Sequence, residues 1–370
     1  MKIKCLRDSL LSAFQMAATV APSRTPKAVL RNVKMRIATD SATLMATDME
    51  VGMRIEFEGV ETDQPGEILL PVAQFGSILR ESNDEHLRIE SDSAGTVIRG
   101  ARSVFHLGAE NPDEFPDLAG FDEQSYHKIS GKLFRELIRR TIFATDNEST
   151  RYALGGILLE MTNEEVVAVA TDGRRLARMH GRGESVGGHR TGEVMTIVPS
   201  RAMQLLERTL GDQETEVLVT VRANDILVKS GRAVVFSRLV DGRFPKWRDA
   251  FPNRPDSRKI ELPVGPLLSA VRQAAIVSTS ETRGVDFTFT EGNLTLASQT
   301  AEVGDSKIDL PISYDGPKIQ LTLDHRFVSD FLRVLDADKT VVADIQERKA
   351  VIFSTDDGYG YVVMPMSRDT

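Results

Sequence analysis

Ala170-Thr171-Asp172-Gly173-Arg174-Arg175-Leu176-Ala177 lies near the middle of the chain and has a counterpart upstream. Ala46-Thr47-Asp48, followed by Met49-Glu50-Val51-Gly52, stands 124 residues earlier. A weaker third copy, Ala297-Ser298-Gln299 with Thr300-Ala301-Glu302-Val303-Gly304, lies 127 residues later. Other features keep the same step. Leu70-Pro71 and Val198-Pro199 are 128 residues apart and each opens a helical pattern, as does Leu323-Asp324 after another 125. Pro71 and Pro199 suit a first helical position, where a missing N–H costs nothing, and Asp324 suits an N-cap. Phe115-Pro116 and Phe244-Pro245 are 129 apart, each closing a strand-like stretch. Earlier helices begin near Asp8, Gly131 and Gly265, with apolar faces such as Leu133, Phe134 and Leu137.

Each copy therefore holds two short helices separated by alternating segments such as Lys34-Met35-Arg36-Ile37, Glu216-Val217-Leu218-Val219 and Lys349-Ala350-Val351-Ile352-Phe353. A period this long is a whole domain, not a solenoid repeat. The reading is α+β: three repeated domains over residues 1–122, 123–253 and 254–370. Polar stretches from Gly120 to His127 and around Pro252 and Pro255 serve as linkers.

Composition narrows the function. The chain has 370 residues, 46 basic and 54 acidic, for a net charge of −8, with 41% hydrophobic residues and one Cys. Disorder is excluded, as are a disulfide scaffold and a Cys-based zinc site. Cys5 sits in an alternating Lys2-Ile3-Lys4-Cys5-Leu6 segment and reads as a strand residue. The charged N-terminus has no signal-peptide core, and no apolar run approaches a membrane span, so a soluble cytoplasmic protein without a membrane partner is expected. A net negative chain also looks like a poor nucleic-acid binder, because phosphate affinity comes from Lys and Arg.

No catalytic constellation emerges. The six histidines lack metal-ligand spacing, and there is neither a nucleophile elbow nor a phosphate-binding loop. The glycine-rich stretch Gly181 to Gly188 leads toward the strand-like Val194–Val198 instead of a helix, so it reads as a flexible loop. Asp48 and Asp172 fall in different domains and suit turns. No catalytic residue, metal or cofactor is expected, and a repeated domain without one suggests a binding or scaffold role.

Sorting charge by element reverses the first impression. Six helices are expected at about 7–19, 71–81, 132–143, 199–208, 265–277 and 324–335. They carry 11 basic and 6 acidic residues, leaving 35 basic and 48 acidic residues elsewhere. Lys132, Arg135 and Arg139 share one helix face, and Arg201 and Arg208 another. Arg80 and Arg272 lie on polar faces, and Arg326 and Arg333 flank Asp330. Without interleaved aromatics, these cations suit sequence-independent contact with duplex phosphates.

Three motifs then identify a family: Ala170 to Ala177, Leu239-Val240-Asp241-Gly242-Arg243-Phe244-Pro245, and Tyr361-Val362-Val363-Met364-Pro365-Met366. Over essentially its whole length the chain resembles the bacterial DNA polymerase III β subunits, the replicative sliding clamps. The resemblance implies three similar domains per chain and two chains joined head to tail in a ring. Helices line the central hole and antiparallel sheets form the outside. It implies a non-catalytic processivity subunit that encircles double-stranded DNA. It also implies that DNA polymerase subunits, the clamp loader, and repair and replication-initiation regulators are tethered through short clamp-binding peptides. The family's peptide pocket maps onto Leu154, Thr171, Gly173, Arg174, Arg175, Leu176, Pro245, Ala250, Val362, Val363, Met364, Pro365 and Met366. Family DNA contacts map onto Arg24, Arg80, Arg151, Tyr152 and Arg201, beside the basic face of Lys132, Arg135 and Arg139. The homodimer interface maps onto Phe105 and Leu107 on one edge and Ile276 and Val277 on the other. Arg174 stands where the family often has His, giving a more basic rim, and Ala250 replaces a larger aliphatic residue.

Overall fold

The computed structural model describes residues 1–146, 148, 153–192, 195–210, 216–255, 257–346 and 349–366. Six helices form: α1 (Arg7–Ala18), α2 (Val72–Glu81), α3 (Gly131–Arg139), α4 (Ser200–Thr209), α5 (Val264–Ala274) and α6 (His325–Arg333). Pro71 and Pro263 stand at N-caps and Pro199 just before α4, one residue earlier than the first-turn position expected for Pro71 and Pro199. Asp324 caps α6 by accepting from the Arg326 N–H at 2.9 Å. Helix α3 was expected to reach residue 143 but ends at Arg139. The Thr141 hydroxyl donates back to the Leu137 carbonyl at 2.6 Å, and a 3₁₀ turn, Ile142–Ala144, follows.

The chain packs as two compact units, and the expected central domain contributes to both. One unit comprises residues 1–132, 184–190 and 201–239; the other comprises 133–183, 191–200 and 240–370. In the first, a nine-stranded sheet runs in the order Glu184–Val186, Tyr126–Ser130, Glu216–Val221, Asp225–Ser230, Ala233–Arg238, Val51–Glu56, Ala42–Thr47, Asn32–Ile37, Gly66–Pro71. A five-stranded sheet completes it, from Val60–Gln64 through Lys2–Leu6, His86–Asp92 and Gly95–Arg99 to Val104–Gly108. Helices α1 and α2 pack together, with Phe14 meeting Phe75 edge to face at 5.0 Å. Cys5 is buried in its strand, as the alternation indicates, and burial pushes its thiol up to about 12.

The second unit holds an eight-stranded sheet ordered Ile197–Pro199, Gly156–Met161, Glu165–Thr171, Arg175–Arg182, Tyr359–Val363, Val351–Ser354, Thr340–Ile345, Arg258–Pro263. Its four-stranded companion runs Gly304–Pro311, Asn293–Thr300, Gly284–Thr290, Ile319–Asp324. The central repeat is stitched to its neighbours by strand pairing. Ala233–Ser237 pairs antiparallel with Val51–Ile55 in the first unit, and Arg175–Met179 pairs with Tyr359–Val363 in the second.

The glycine-rich stretch is not the loop expected from composition. Gly181 and Arg182 end a strand and Glu184–Val186 forms another. A Cβ at Gly181 would come within 2.5 Å of Leu133 Cδ1, so the α3 side chain lies close over the strand there. Only Gly187 and Gly188 take positive φ, at 63° and 73°.

The opening motif is a turn, built twice. Thr171 Oγ1 donates to the Arg175 carbonyl at 2.6 Å and accepts from Gly173 N, while Asp172 Oδ1 accepts from Arg174 N and Arg175 N. Thr47 and Asp48 make the same four bonds to Met49, Glu50 and Val51. The third residue is left-handed in both, with φ 86° at Gly173 and 82° at Met49. Asp48 and Asp172 thus stabilise turns. The third copy, which runs from the end of strand Asn293–Thr300 into Gly304–Pro311, lacks the Thr-Asp pair.

No atom lies within 4 Å of the place a Cβ would take at Gly173. Gly173→Ala therefore costs only the left-handed backbone, about 1 kcal/mol in urea unfolding. An unchanged unfolding midpoint would show that the turn can relax to negative φ.

Candidate functional site

Alternation in the eight-stranded sheet sorts the motif residues onto two faces. Leu176 lies opposite Thr171 on one side and Val362 on the other, and Val362 lies opposite Ile352. One face therefore carries Leu158, Val167, Val169, Leu176, Ile197, Ile352 and Val362 as a buried apolar cluster. The irregular segment from Val240 to Phe251 crosses this face. It sets Phe244 and Trp247 into the cluster, with Val240, Ala250 and Phe251 packed against it. Trp247 is fixed by its indole N–H, which donates to Glu160 Oε1 at 3.2 Å.

The end of this face carries exposed apolar side chains. After Val363 the chain continues extended: Met364 N donates to the Arg174 carbonyl at 3.0 Å and Met366 N to the Thr322 carbonyl at 2.9 Å. Met364 is 53% and Met366 40% exposed, while Leu154 and Thr171 are buried. Pro245, Gly173 and Arg174 are exposed and Pro365 and Ala250 half-buried. Polarizable methionines around a floor of branched side chains form an adaptable apolar surface.

Two residues expected in the groove lie on the opposite, helix-covered face. Arg175 pairs with Val363 across the sheet, so both point away from Leu176 and Val362. The Arg175 fork is fully engaged. Its Nε donates to Asp172 Oδ2 at 3.0 Å, Nη1 to Asp330 Oδ2 at 2.7 Å and Nη2 to the Phe143 carbonyl at 2.6 Å. Its plane also stacks on Phe327 at 4.5 Å. Burial alone would lower its pKa, but Tyr361, Asp330 and Asp172 outweigh it and hold the guanidinium above its ordinary value. Arg175 is therefore a strut that fastens the turn to α6. Val363 is buried in the core.

The cationic residues are placed on helices and one loop. Arg24 is exposed in the loop after α1, and Arg80 and Lys132 are exposed on α2 and α3. Arg139 is half-buried and held by Glu136 at 2.8 Å, and Arg135 is half-buried on the same helix. Arg201 forms an ion pair with the buried carboxylate of Asp48, a partner the sequence did not suggest. Arg151 and Tyr152 lie outside the described residues.

Two sheet edges display apolar side chains. Strand Val104–Gly108 ends the five-stranded sheet with Phe105 37% exposed and Leu107 half-buried. Strand Gly304–Pro311 ends the four-stranded sheet. Beside it, Ile276 is 75% exposed and Val277 half-buried in the 3₁₀ turn Ala275–Val277. Thr300 Oγ1 donates to the Val277 carbonyl at 2.6 Å and Ser306 Oγ to that of Ala274 at 2.8 Å, which fastens the turn to the hairpin. Among the described residues, no group of three or more His, Cys, Asp or Glu is placed to hold a metal, and no helix is long and apolar enough to cross a membrane. His127 and His189 meet Nδ1 to Nδ1 at 2.6 Å in the core of the first unit. Burial, then His127, pushes His189 down to about 4.

Comparison with known proteins accounts for the whole chain. Residues 1–119 match the DNA polymerase III beta subunit N-terminal domain, 128–246 the central domain and 248–367 the C-terminal domain. The beta sliding clamp of Escherichia coli K12 is 28% identical, over 99% of this chain and 100% of the relative. That of Pseudomonas putida KT2440 is 29% identical, over 97% and 98%. The crystal structure of the Pseudomonas aeruginosa DNA polymerase III subunit beta superposes with a TM-score of 0.92 at 26% identity over all of both chains. The Bacillus subtilis clamp, at 22% identity and a TM-score of 0.93, shares the fold.

Removing the strut should loosen the groove without touching it. Arg175→Met is expected to cost on the order of 3 kcal/mol in urea unfolding, because it breaks buried pairs with Asp172 and Asp330. Arg175→Lys should recover only part of this, since a single ammonium cannot replace the fork. A loss below about 1 kcal/mol, as for an exposed pair, would contradict the strut role.

Proposed function

The chain belongs to the DNA polymerase III beta-subunit family, and from that membership we propose how its surfaces work. It is a sliding clamp, a non-catalytic processivity subunit of the replicative DNA polymerase. Its domains are those of three clamp repeats, 1–122, 123–253 and 254–370. Two copies close head to tail around double-stranded DNA in the cytoplasm. The groove beside Leu176 and Val362 takes short apolar peptides of the polymerase, the clamp loader, and repair and replication-initiation regulators.

One observation carries the peptide reading. An apolar floor, covered along one side by Phe244 and Trp247, opens at an end where Met364 and Met366 remain exposed. Methionines left exposed at the mouth of a buried apolar cluster fit a peptide with bulky apolar anchors. Leu154, Thr171, Gly173, Arg174, Leu176, Pro245, Ala250, Val362, Met364, Pro365 and Met366 form the groove, with Arg175 and Val363 beneath it.

The ring reading rests on the two displayed edges. These edges expose apolar side chains: Phe105 on Val104–Gly108, and Ile276 beside Gly304–Pro311. Phe105 and Leu107 on one copy then meet Ile276 and Val277 on the next, with Arg102 drawn to Glu302 or Asp305. A cleft of about 900 Å³, lined in part by Pro22, Val72, His106 and Leu107, lies beside the first edge and can receive the exposed Ile276. Duplex contact falls to Arg24, Arg80, Lys132, Arg135, Arg139, Arg151, Tyr152 and Arg201. Such contact is sequence-independent and exchangeable, so the ring slides.

Closure is tested on DNA topology: the protein, loaded by its clamp loader, should stay on nicked circles and run off linear DNA. Equal retention on both would overturn the ring, as would a monomer at micromolar concentration in sedimentation. For the groove, deletion of residues 364–370 should abolish capture of the polymerase subunit while leaving the dimer intact. Unchanged capture would refute the assignment.

A further inference from the structure

Strand Arg175–Arg182 carries a cation that the groove reading leaves unexplained. Arg178 lies two residues beyond Leu176 on the same face, opposite Val169 and Gly360. Its guanidinium stacks on the ring of Phe251 at 4.5 Å. The stack depends on Gly360: a Cβ there would come within 2.8 Å of Phe251 Cε1 and 3.2 Å of Arg178 Nη2. The Nε of Arg178 is buried with no hydrogen-bond acceptor, and among the described residues no carboxylate pairs with the side chain. Two carboxylates of the same sheet are engaged elsewhere. Glu165 is held by His180 Nδ1 at 2.8 Å, and Glu160 by Arg248 Nη2 at 2.6 Å and the Trp247 indole. Burial lowers the Arg178 pKa, and the pull of Glu165 only partly offsets it. A half-buried, unpaired guanidinium costs stability, and an anion supplied from outside would repay that cost.

The geometry points to a subsite for a carboxylate of the bound peptide, formed by Arg178 against Phe251, two residues along the strand from the apolar anchor at Leu176. Residues i and i+2 of a strand lie about 7 Å apart, which is also two residues of an extended peptide. The partner is therefore a peptide with an acidic side chain two positions from its bulky apolar residues. Exposed Arg174 lies two residues on the other side of Leu176, so Leu176 sits between two cations. This inference rests on the groove reading and adds the chemistry of its ligand.

The test uses fluorescein-labelled nonapeptides with a Leu-Leu pair in Ser/Gly flanks and Asp or Asn two positions before or after it. Fluorescence anisotropy on the full-length dimer measures their affinities. One Asp peptide should bind at least about fivefold tighter than its Asn twin, as a charge-assisted contact gives. That ratio should fall to about one in Arg178→Gln and partly persist in Arg178→Lys. The Asp-to-Asn comparison on the unaltered protein needs no variant to fold. Equal binding of all four peptides by wild type would overturn the subsite, as would a ratio that survives Arg178→Gln. Leu176→Ala separates the two readings. If it weakens every peptide while the Arg178 result fails, only the subsite falls; if it weakens none, the groove assignment falls and the subsite with it.

Discussion

Strand register between Arg175–Met179 and Tyr359–Val363 is the constraint on which the proposed peptide groove depends. Val362 faces Leu176 only because these strands pair in one register. Side chains alternate with period two, so a slip of one residue would turn Val362 into the core and Val363 outward. The groove would lose its floor and the core would lose a side chain packed near Tyr361. The equivalent pairing in the first unit, Val51–Ile55 with Ala233–Ser237, fixes the other sheet of the central repeat. Each central sheet continues into a neighbour, which satisfies an edge that would otherwise invite aggregation.

Arg175 enforces that register from below. It belongs to the turn, pairs in the ladder with Val363, and reaches α6 through Asp330. Displacing the strand would pull its fork from three acceptors at once. The same region gathers Phe331, Tyr359 and Tyr361, with Phe331 and Tyr361 stacked 4.8 Å apart at 5°. The helix-covered face is therefore rigid and fully packed, and the opposite face can leave methionines exposed without loosening the sheet. A firm support under an adaptable rim suits the proposed recognition of several different peptides.

The repeat was legible because the turn uses chemistry that only a few residue types provide. Thr and Asp bond to the backbone two and three residues on, so Ala-Thr-Asp recurs wherever the turn does. Helix number and strand alternation were legible from periodicity. Side-chain direction within a contiguous motif was less so. Gly173 through Leu176 reads as one cluster, yet strand alternation sends Arg175 and Leu176 to opposite faces. Gly181 looked like loop composition, yet it is a strand residue close to Leu133 of a helix some fifty positions away. The segment carrying Trp247 and Phe251 has no period to read, and its place over the sheet comes from burial. Arg178 could have been singled out from its spacing to Leu176, but its lack of a partner is a fact of three dimensions.

Net charge remains the feature that most misleads. Within the observed helices stand ten basic and five acidic residues, against −8 for the chain. Many helix cations are also engaged: Arg139 with Glu136, Arg201 with Asp48, Arg326 with Asp324, Arg333 with Asp330. The exposed pairs among them, such as Arg333 with Asp330, contribute little and exchange readily. In the proposed clamp they keep arginine side chains placed while leaving their grip on phosphate shallow. A protein that held DNA by affinity would need those cations unopposed. One held by closure is better served by the opposite, because every strong phosphate contact would be a brake on sliding. Partial internal neutralisation of the helix surface is therefore consistent with a duplex that is enclosed instead of gripped.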